Sequence, residues 1–446
     1  MDVSDLNSTL RVFKSVGSVF VAFNSNIDNI VHVDRQLEKF AGNAKPRHLE
    51  KIENPDDIFS GLLYSMKNSE SMELVMGKKV ERWLSKNIRP DRQRMGGQAG
   101  IISNMLSTIG VQAITYTPLL SKEQCRLFSK KVLLIDNGLK HADKVKRKDE
   151  KKINWIFEYD KGQKFLDIRA GDVSRFIAAS RPDAFRLKDV SINFDFDCAI
   201  LSGFQNIHER YNDGTTYRDQ FLIAKKMIRK IKAKKKPVHI EFAYSGNRKI
   251  MENMVKITSH ADSVGMDESE LMRVLDILKE KKLSRQIHKK HDIRDIFNGL
   301  EKMADHLETK KIHIHGAGYF MAVCKKDYHI GPEEIKKSMD LAAVAAGAEA
   351  SYKIKSRKDI IKGLKYPQAA LGWKKQKILA GYLRKKGIIM KDGIAKDKYN
   401  IIIVPNRTIR NIRDVVGLGD IISASIFAAE IGYANRNNML MKALRC

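Results

Sequence analysis

Short apolar runs rich in β-branched residues recur along this 446-residue chain, and they constrain its fold more than any other feature. Most of these runs are continuously apolar rather than alternating, as in strands that are buried on both faces of a parallel sheet. Helical patterns lie between them, for example YRDQFLIAKKMIRKIKAK and GPEEIKKSMDLAAVAAGAEASY. The repeated order of strand and helix predicts a three-layer α/β domain. The runs are SVFVAF from Ser18, VQAITYTP from Val111, DCAILSGF from Asp197, PVHIEFA from Pro237, KIHIHGAGYF from Lys311 and NIIIVP from Asn400.

Two regions interrupt this alternation and predict a second, smaller domain. Residues 29–95 carry polar helical stretches, and residues 145–190 include INWIFEYDKGQKFLDI, which we interpret as a hairpin turning at Lys161 and Gly162. The chain is too long for one ordinary core, so it fits a large domain with an inserted lid over a cleft. The expected large domain comprises residues 1–28, 96–144 and 191–446, and the expected lid domain residues 29–95 and 145–190.

The net charge of +29 makes a nucleic-acid partner one hypothesis. Most of the charge is lysine in stretches typical of solvated helix faces, such as KVKRKDEKK, KKMIRKIKAKKKP and KEKKLSRQIHKKH. Aromatic residues do not interleave there at the spacing of a base-stacking surface. The charge fits the attraction of small phosphorylated ligands equally well, so we do not favour nucleic acid as the main partner.

The remaining composition predicts a soluble, cytoplasmic protein. No apolar run reaches the roughly 18 residues that a membrane span needs, and MDVSDLNSTL lacks the basic and apolar segments of a signal peptide. The four cysteines, Cys125, Cys198, Cys324 and Cys446, form no C-x-x-C pair. This scatter favours reduced thiols over disulfides or a zinc site.

The segment VVGLGD, in front of an apolar helical pattern, is the first candidate for chemistry. Unpaired N–H groups at a helix N-terminus attract anions, and Gly417 and Gly419 would let a phosphate approach them closely. A carboxylate at the same place, Asp420, could accept a proton from an attacking hydroxyl. Together these features suit a phosphoryl-transfer site. On these residues alone, however, a capped strand-to-helix turn is the stronger interpretation.

Polar residues also follow other predicted elements, and each group taken singly fits a capped turn or a surface acid. Short polar side chains at the carboxyl end of a strand suit the recognition of sugar hydroxyls. Carboxylates near the ends of parallel strands can hold Mg²⁺ through its water shell. The groups are Asn24, Asn26 and Asp28; Gly96, Gly97 and Gln98; Glu241; and Asp267, Glu268 and Glu270.

The order of these segments resembles that of the ADP-dependent sugar kinases of archaea, the ADP-dependent glucokinase and phosphofructokinase family of the ribokinase-like superfamily. The matching motifs are NSNID, MGGQAG, SGFQ, HIEFA, VGMDESEL, HIHGAGY and VPNR…VVGLGD, which span nearly the whole chain. The resemblance implies a ribokinase-like large domain with a smaller α/β lid inserted discontinuously. It also implies ADP as phosphoryl donor, Mg²⁺ as cofactor, and a sugar or sugar phosphate as acceptor.

The resemblance further implies roles for the residues in these motifs. Asp420 would be the catalytic base of the G-x-G-D motif and would also face the metal, while the amides from Gly417 to Gly419 would form an anion hole. Glu241, in the counterpart of an H-x-E motif, and Glu270, in the counterpart of an N-x-x-E motif, would organise Mg²⁺. The residues expected to bind the sugar are Asn26, Asp28, Gly96, Gly97 and Gln98.

The nucleotide side of the site is implied in the same way. Arg175, in SRFIAAS, resembles the family's NRFI arginine, which reaches from the lid to the nucleotide phosphate and could stabilise transition-state charge. His315 and Ile409 fall near positions expected to border the adenosine. The departures from the family's pattern are Asp267 in place of Asn, Asp172 in place of a basic residue, and Gly316 where Thr is common.

The identity of the sugar is predicted from the lid segment NSESMELV. Glucokinases of this family have a Glu there for the glucose 2-hydroxyl, and our alignment places Met72 at that position, with Glu73 following. Methionine cannot accept that hydrogen bond, so we expect fructose 6-phosphate as the substrate. A shift of one residue would reverse the argument, and glucose remains the alternative acceptor.

Two hypotheses from other classes stay open. One is a nucleic-acid-binding protein, which predicts steep salt dependence of polynucleotide binding. The other is a catalytically silent, nucleotide-binding regulator, which the departures at Asp172 and Asp267 would allow. A coupled assay for AMP release with each sugar distinguishes these hypotheses from a kinase.

Overall fold

The computed structural model describes residues 2–172, 174–409 and 417–443, with side chains described as far as Leu440. The strands are β1 (Ser18–Phe23), β2 (Asn26–His32), β3 (Lys51–Ile52), β4 (Met72–Met76), β5 (Arg92–Gly96), β6 (Gln112–Tyr116), β7 (Leu133–Ile135), β8 (Leu139–His141), β9 (Ile153–Tyr159), β10 (Lys164–Phe165), β11 (Ile168–Arg169), β12 (Ser174–Ser180), β13 (Cys198–Ser202), β14 (Val238–Glu241), β15 (Ser263–Met266), β16 (Lys311–Gly316), β17 (Tyr319–Cys324), β18 (Met390–Lys391), β19 (Ile394–Lys396) and β20 (Asn400–Pro405). The α-helices are α1 (Val3–Leu10), α2 (Glu38–Ala41), α3 (Pro55–Asn68), α4 (Lys78–Asn87), α5 (Gln98–Ile109), α6 (Lys122–Cys125), α7 (Tyr217–Ala233), α8 (Arg248–Thr258), α9 (Glu268–Ile277), α10 (Lys281–Lys290), α11 (Ile293–His306), α12 (Pro332–Tyr352), α13 (Ala370–Arg384) and α14 (Leu418–Ala443).

A twelve-stranded sheet forms the centre of the larger part of the molecule, in the order β18-β19-β20-β17-β16-β15-β14-β13-β1-β6-β7-β8. Side chains of its central strands alternate between two apolar layers. In β1, Phe20 packs into the layer that contains α7, α8 and α11, whereas Val21 packs into the layer that contains α5 and α14. Burial on both faces explains why the strand sequences are continuously apolar. The predicted three-layer α/β fold is confirmed.

The sheet is mixed rather than purely parallel. The run from β16 through β15, β14, β13, β1 and β6 to β7 is parallel, but β17 is antiparallel to both β16 and β20, and β8 is antiparallel to β7. The segment KIHIHGAGYF, expected to be one strand, is therefore two strands joined by a turn at Gly318, whose φ is +81°. Strands joined by so short a turn can pair only in antiparallel fashion.

A six-stranded sheet, in the order β3-β4-β12-β9-β2-β5, forms the smaller part. One face packs on α3 and α4 through a separate apolar cluster that includes Phe59, Leu84 and Phe176. The expected hairpin at Lys161 and Gly162 is wrong in its pairing. β9 pairs antiparallel with β12 over its length, and the two-residue strands β10 and β11 form their own small ladder in between. β12 has seven residues and can pair along the length of β9, whereas β10 has only two residues and is too short to do so.

The chain crosses between the two sheets at residues that the sequence assigns to chemistry. β1 ends at Phe23 in the large sheet, and β2 begins at Asn26 in the small one, so only two residues separate them. Asn26, Asp28 and Gly96 thus belong to strands of the small sheet. The division of the chain into two domains at the expected residue numbers stays a prediction. Among the described residues, no helix combines the length and apolarity that crossing a bilayer would require.

Candidate active site

A cleft of about 170 Å³ lies where strands of the two sheets meet. The large part of the chain contributes the start of α14, the start of α5 and the loop after β13, whereas the small sheet contributes side chains from β2, β4, β9 and β12. The residues lining the cleft are Asn24, Asn26, Asp28, Glu73, Gly97, Gln98, Ile101, Lys152, Asn154, Ile156, Arg175, Ile177, Ala179, Ser180, Arg181, Gln205, Asn206, Gly417 and Asp420.

Asp420 lies in the first turn of α14 and is buried. Burial, with a further contribution from the charge of Glu241, raises the pKa of Asp420 well above its usual value. A carboxylate in this state takes up a proton readily, as a general base must. Gly417 has a φ of +79°, and a Cβ there would lie 2.5 Å from Cδ1 of Ile101. The helix mouth therefore has glycine where a side chain would be strained and crowded.

Gln98 connects Asp420 to the loops that follow β13 and β14. Its Nε2 donates to the carbonyl oxygen of Phe242 at 3.2 Å, and its Oε1 accepts from the backbone N–H of Gly203 at 3.0 Å and from Nε2 of Gln205 at 3.1 Å. A hydrogen bond from the Gln98 side chain acts to lower the pKa of Asp420. Gln98 is thus fixed by three contacts beside the group that it supports, and the structure brings these two predicted residues together.

Asn26 and Asp28 form a polar pair on β2. The Asn26 amide donates to Oδ1 of Asp28 at 2.6 Å, and a Cβ on Gly96 would lie 2.1 Å from that same oxygen, so only glycine fits at Gly96. Burial raises the pKa of Asp28 to about 6, against the opposing charge of Arg94. The Oδ1 of Asn26 is buried without a hydrogen-bond partner within the described part of the chain. A ligand hydroxyl would satisfy this acceptor.

Two cations line the cleft: Lys152, which is buried, and Arg181, which is half-buried. The Lys152 ammonium donates to Oδ1 of Asn24 at 2.7 Å and to Oδ1 of Asn206 at 2.6 Å. Burial, and next the charge of Arg181, lowers the pKa of Lys152 to about 7. Burial also lowers the pKa of Arg181. The charge of each cation disfavours the charge of the other, and a bound dianion would stabilise both charged forms.

The lid segment presents Glu73, not Met72, to the cleft. Met72 is 7% exposed and belongs to the apolar cluster on the far face of the small sheet. Glu73 lines the cleft, and its charge acts on Asp28, Lys152 and Arg181. Successive side chains of a strand point to opposite faces, so a shift of one residue exchanges core and cleft. The structure does not bring Met72 to the site where the sequence analysis placed it.

Two further carboxylates lie near Asp420: that of Glu241, which is buried, and that of Glu270, which is half-buried. Hydrogen bonds from His239 and His315, each 3.3 Å from Glu241, outweigh burial and lower the pKa of Glu241 to about 2. Burial, with the charge of Asp267, raises the pKa of Glu270 well above its usual value, and the charges of Glu241 and Asp420 add to this. One oxygen of Glu270 is also used in a capping box, where it accepts from the N–H of Asp267 at 2.8 Å.

The crowding of these carboxylates suits a divalent cation. Within residues 2–172, 174–409 and 417–443, no three His, Cys, Asp or Glu side chains converge as direct metal ligands. Mg²⁺ keeps several of its waters and needs only one or two carboxylates from the protein, so the donor set fits an ion held largely through water.

Of the remaining predicted residues, His315 lies beside the start of α14, whereas Arg175 belongs to the small sheet. His315, at the end of β16, donates to Glu241, and a Cβ on Gly419 would come within 3.0 Å of its ring. Burial acts to lower the pKa of His315, but Glu241 outweighs it and the pKa is raised. Arg175 lines the cleft from β12. Ile409 is half-buried after β20, and its place beside the nucleotide stays a prediction.

A model of the ADP-specific phosphofructokinase/glucokinase conserved region matches residues 17–429. The chain belongs to this family. The ADP-specific phosphofructokinase of Thermococcus zilligii is 31% identical to it, covering 92% of this chain and 95% of its own length. The ADP-dependent glucose/glucosamine kinase of Pyrococcus abyssi is 28% identical, covering 95% and 97%. The structure of an ADP-dependent kinase in complex with fructose-6-phosphate and ADPβS superposes with a TM-score of 0.85, at 32% identity, covering 97% of this chain and 99% of the other.

Several residues that line the cleft of this phosphofructokinase/glucokinase family member were not among the predicted site residues. Lys152 sits in KVKRKDEKK, which reads as a solvated run, although its position directly before the apolar strand β9 signals burial. Arg181 directly follows the last residue of β12, the kind of strand end at which polar site residues were sought elsewhere. Asn154 lines the cleft from β9, and Ser180 lines it at the end of β12 although its hydroxyl donates to Glu81 at 2.9 Å. No local pattern distinguishes these two residues.

Proposed function

We propose that this protein transfers the β-phosphoryl group of ADP to fructose 6-phosphate, giving fructose 1,6-bisphosphate and AMP. The observation that carries the proposal is the match over nearly the whole chain to ADP-specific phosphofructokinases, including the structure in complex with fructose-6-phosphate and an ADP analogue. The arrangement of Asp420, Gln98 and the glycines at the mouth of α14 supplies the groups that this reaction needs.

In the proposed reaction, the acceptor hydroxyl lies beside Asp420. Its oxygen forms a bond to the β-phosphorus of ADP while the bond from that phosphorus to the bridging oxygen breaks, releasing AMP. The hydroxyl proton passes to the carboxylate of Asp420. The backbone amides at Gly417 to Gly419 and the guanidinium of Arg175 stabilise the charge on the transferred group.

The carboxylates Glu241 and Glu270 would hold Mg²⁺, mainly through its waters. When bound, the ion offsets the negative charge of the donor phosphates. Within the chain itself, His239 and His315 keep Glu241 ionised, because their hydrogen bonds hold its pKa near 2.

Two cations beside the small sheet, Lys152 and Arg181, would bind the phosphate group of a phosphorylated acceptor. Lys152 is buried and Arg181 is half-buried, and both line the cleft. A phosphate on the sugar would favour the charged form of Lys152, which burial disfavours. Glu73 offsets part of this positive charge, and a neutral sugar would add no further anion. The pair therefore supports a phosphorylated acceptor.

Glucose is a second candidate acceptor, and the placement of Glu73 favours it. The sequence disfavours glucose, and keeps it as the alternative acceptor, because Met72 aligns with the glutamate that accepts the glucose 2-hydroxyl. With Glu73 in the cleft and Met72 in the core, an acceptor carboxylate is available after all. A protein that uses both sugars is consistent with a cleft containing Glu73 as well as Lys152 and Arg181.

The deciding experiment is a coupled assay for AMP release with ADP, Mg²⁺ and either fructose 6-phosphate or glucose. We expect turnover with fructose 6-phosphate at the higher kcat/KM, with measurable turnover of glucose. A protein that releases AMP with neither sugar would contradict the kinase proposal and favour the silent regulator. A clear preference for glucose would contradict the proposal that fructose 6-phosphate is the acceptor, but not the proposal of ADP-dependent phosphoryl transfer.

A further inference from the structure

A second cavity, of about 580 Å³, lies beside the outer strand β8 of the large sheet, and we name it the edge cavity. Its walls are α6 with the loop that follows it, and the segment 142–148 that follows β8. It shares no lining residue with the cleft. Its volume falls within the roughly 300–1,000 Å³ that small-molecule sites occupy.

The floor of the edge cavity is apolar. Cys125, Phe128 and Ala142 are each at least 94% buried and belong to the core cluster on that face of the sheet, and Val145 packs against the same cluster. These side chains offer no strong hydrogen-bonding groups. An occupant therefore gains by placing an apolar or aromatic portion against them, and a bare inorganic anion would not.

The rim of the edge cavity is strongly cationic. It carries Lys122, Arg126, Lys130, Lys146, Arg147 and Lys148, and the only carboxylate among the lining residues is that of Asp143. Arg147 is paired with Asp149 and donates to the carbonyl oxygen of Pro118 at 2.6 Å. The other five cations have no carboxylate within 4 Å anywhere in the described ranges. Like charges gathered around one opening attract an ion of opposite sign and high charge.

We propose that the edge cavity binds an organic phosphate: a dianionic or more highly charged group at the rim, attached to an aromatic or apolar body on the floor. The charge requirement comes from the rim and the apolar requirement from the floor. A simple salt ion meets only the first, and an uncharged hydrophobic molecule meets only the second. Charge-assisted hydrogen bonds from lysine and arginine supply the specificity for phosphate.

The edge cavity is connected to the cleft through its own wall. After Lys148 the chain runs directly to Lys152, whose ammonium faces the cleft, and contacts with the large part hold this stretch in place. Asp149 accepts from the backbone N–H of Leu120 at 2.8 Å, and Lys151 pairs with Glu123 at 2.8 Å. An anion that draws Arg147 away from Asp149 disturbs this stretch. Occupation of the edge cavity is therefore linked to binding of the sugar phosphate.

Fluorescence titration with 1-naphthyl phosphate tests the proposal, in the presence of saturating fructose 6-phosphate. Inorganic phosphate and 1-naphthol serve as probes that lack the ring or the charge. The edge-cavity variant carries Arg126→Ala and Lys146→Ala, two exposed substitutions that leave the floor intact. The matched control carries Lys281→Ala and Lys289→Ala, which remove the same charge from exposed positions of α10 with none of the edge-cavity residues involved.

We expect 1-naphthyl phosphate to bind the wild type and the α10 control at least about tenfold more tightly than either partial probe. The edge-cavity variant should lose about tenfold of that affinity. Equal affinity in the two variants, or equal binding of 1-naphthol and its phosphate, would overturn the site. In kinetic assays the probe should change the KM for fructose 6-phosphate in the control more than in the edge-cavity variant. An identical change in both would overturn the link to the cleft.

Discussion

At the scale of single residues, the proposed proton transfer depends on one group, the carboxylate of Asp420. Asp420→Asn keeps the shape of the side chain and its place at the start of α14 but cannot accept the proton. We expect turnover to fall by about two to four orders of magnitude, the usual scale for loss of a general base. Binding of ADP, followed by calorimetry, should be retained. Turnover close to that of the wild type would show that another group takes the proton.

The neighbours Met72 and Glu73 differ in role although they differ by one position in sequence. Glu73→Ala removes the acceptor in the cleft, so kcat/KM for glucose should fall by about tenfold or more. Glu73 also offsets the charges of Lys152 and Arg181, so kcat/KM for fructose 6-phosphate should not fall with it. Met72→Ala is the matched control: it should lower the free energy of unfolding by about 2–5 kcal/mol and leave the ratio of the two sugars unchanged. A ratio that follows Met72 instead would restore the alignment of the sequence analysis. Met72→Glu would bury a carboxylate and would test only stability.

The lowered pKa of Lys152 predicts that the protein takes up a proton when it binds fructose 6-phosphate. Burial and Arg181 hold its pKa at about 7, so at pH 8 the empty protein carries mostly the neutral amine. A phosphate dianion favours the ammonium and raises that pKa, so binding of fructose 6-phosphate at pH 8 should take up about one proton. Calorimetry in two buffers of different ionisation enthalpy measures the uptake. Lys152→Met should abolish it, and glucose, which has no charge, should not produce it. Proton release, or equal uptake with Lys152→Met, would contradict this role.

At the scale of elements, the position of α14 is fixed by a buried ion pair far from Asp420. Lys311, at the start of β16, donates to Glu430 of α14 at 2.5 Å, and Tyr328 donates to the other oxygen of Glu430 at 2.8 Å. Both charged side chains are fully buried. Midway along the same pair of elements, His313 bonds to Ser423 at 3.0 Å. These contacts set α14, which carries the proposed base Asp420, in register with β16, which carries His315.

Breaking this pair should therefore cost far more than breaking a surface pair. Glu430→Gln leaves the Lys311 ammonium buried without a counterion, and we expect the free energy of unfolding to fall by about 3–5 kcal/mol. Replacing both, as Lys311→Met with Glu430→Leu, should cost clearly less. The neighbouring exposed pair of Lys310 and Asp327 is the control, where Asp327→Asn should cost no more than about 1 kcal/mol. Denaturant unfolding measures all four proteins, and similar losses for Glu430→Gln and Asp327→Asn would contradict the argument.

The elements also show which parts of the fold a sequence can predict. Strands of the large sheet can be predicted from the sequence because burial on both faces requires a continuous apolar run, as in SVFVAF and DCAILSGF. The pairing of strands is harder to predict. β9 pairs antiparallel with β12 rather than with β10, which follows it in sequence, and only tertiary packing decides between them. The site divides similarly. Glycines and carboxylates at helix mouths stand out, whereas Lys152 looks solvated and Met72 and Glu73 are exchanged by a shift of one residue.

At the scale of the whole molecule, the charge of +29 and the cleft between two sheets act on the same substrate. A field of this sign draws a sugar phosphate toward the protein, and dissolved salt weakens it, because the Debye length shortens from about 14 Å at 0.05 M to about 6 Å at 0.3 M. A neutral sugar has no charge for the field to act upon. The two acceptors should therefore respond differently to ionic strength, even though they occupy one cleft.

We expect kcat/KM for fructose 6-phosphate to fall several-fold between about 0.05 and 0.3 M salt, and the corresponding value for glucose to change by less than about twofold. Steady-state kinetics at saturating ADP and Mg²⁺ measure both slopes. Lys234 and Lys235 follow α7 at the amino-terminal edge of the sheet, opposite the cleft. Replacing both by Gln should leave the slope nearly intact if the cations of the cleft dominate, because charges beyond a Debye length are screened, whereas Arg181→Gln should flatten it. Equal slopes for the two sugars would show that the phosphate is not held by charge, and would remove the main physical reason for preferring the phosphorylated acceptor.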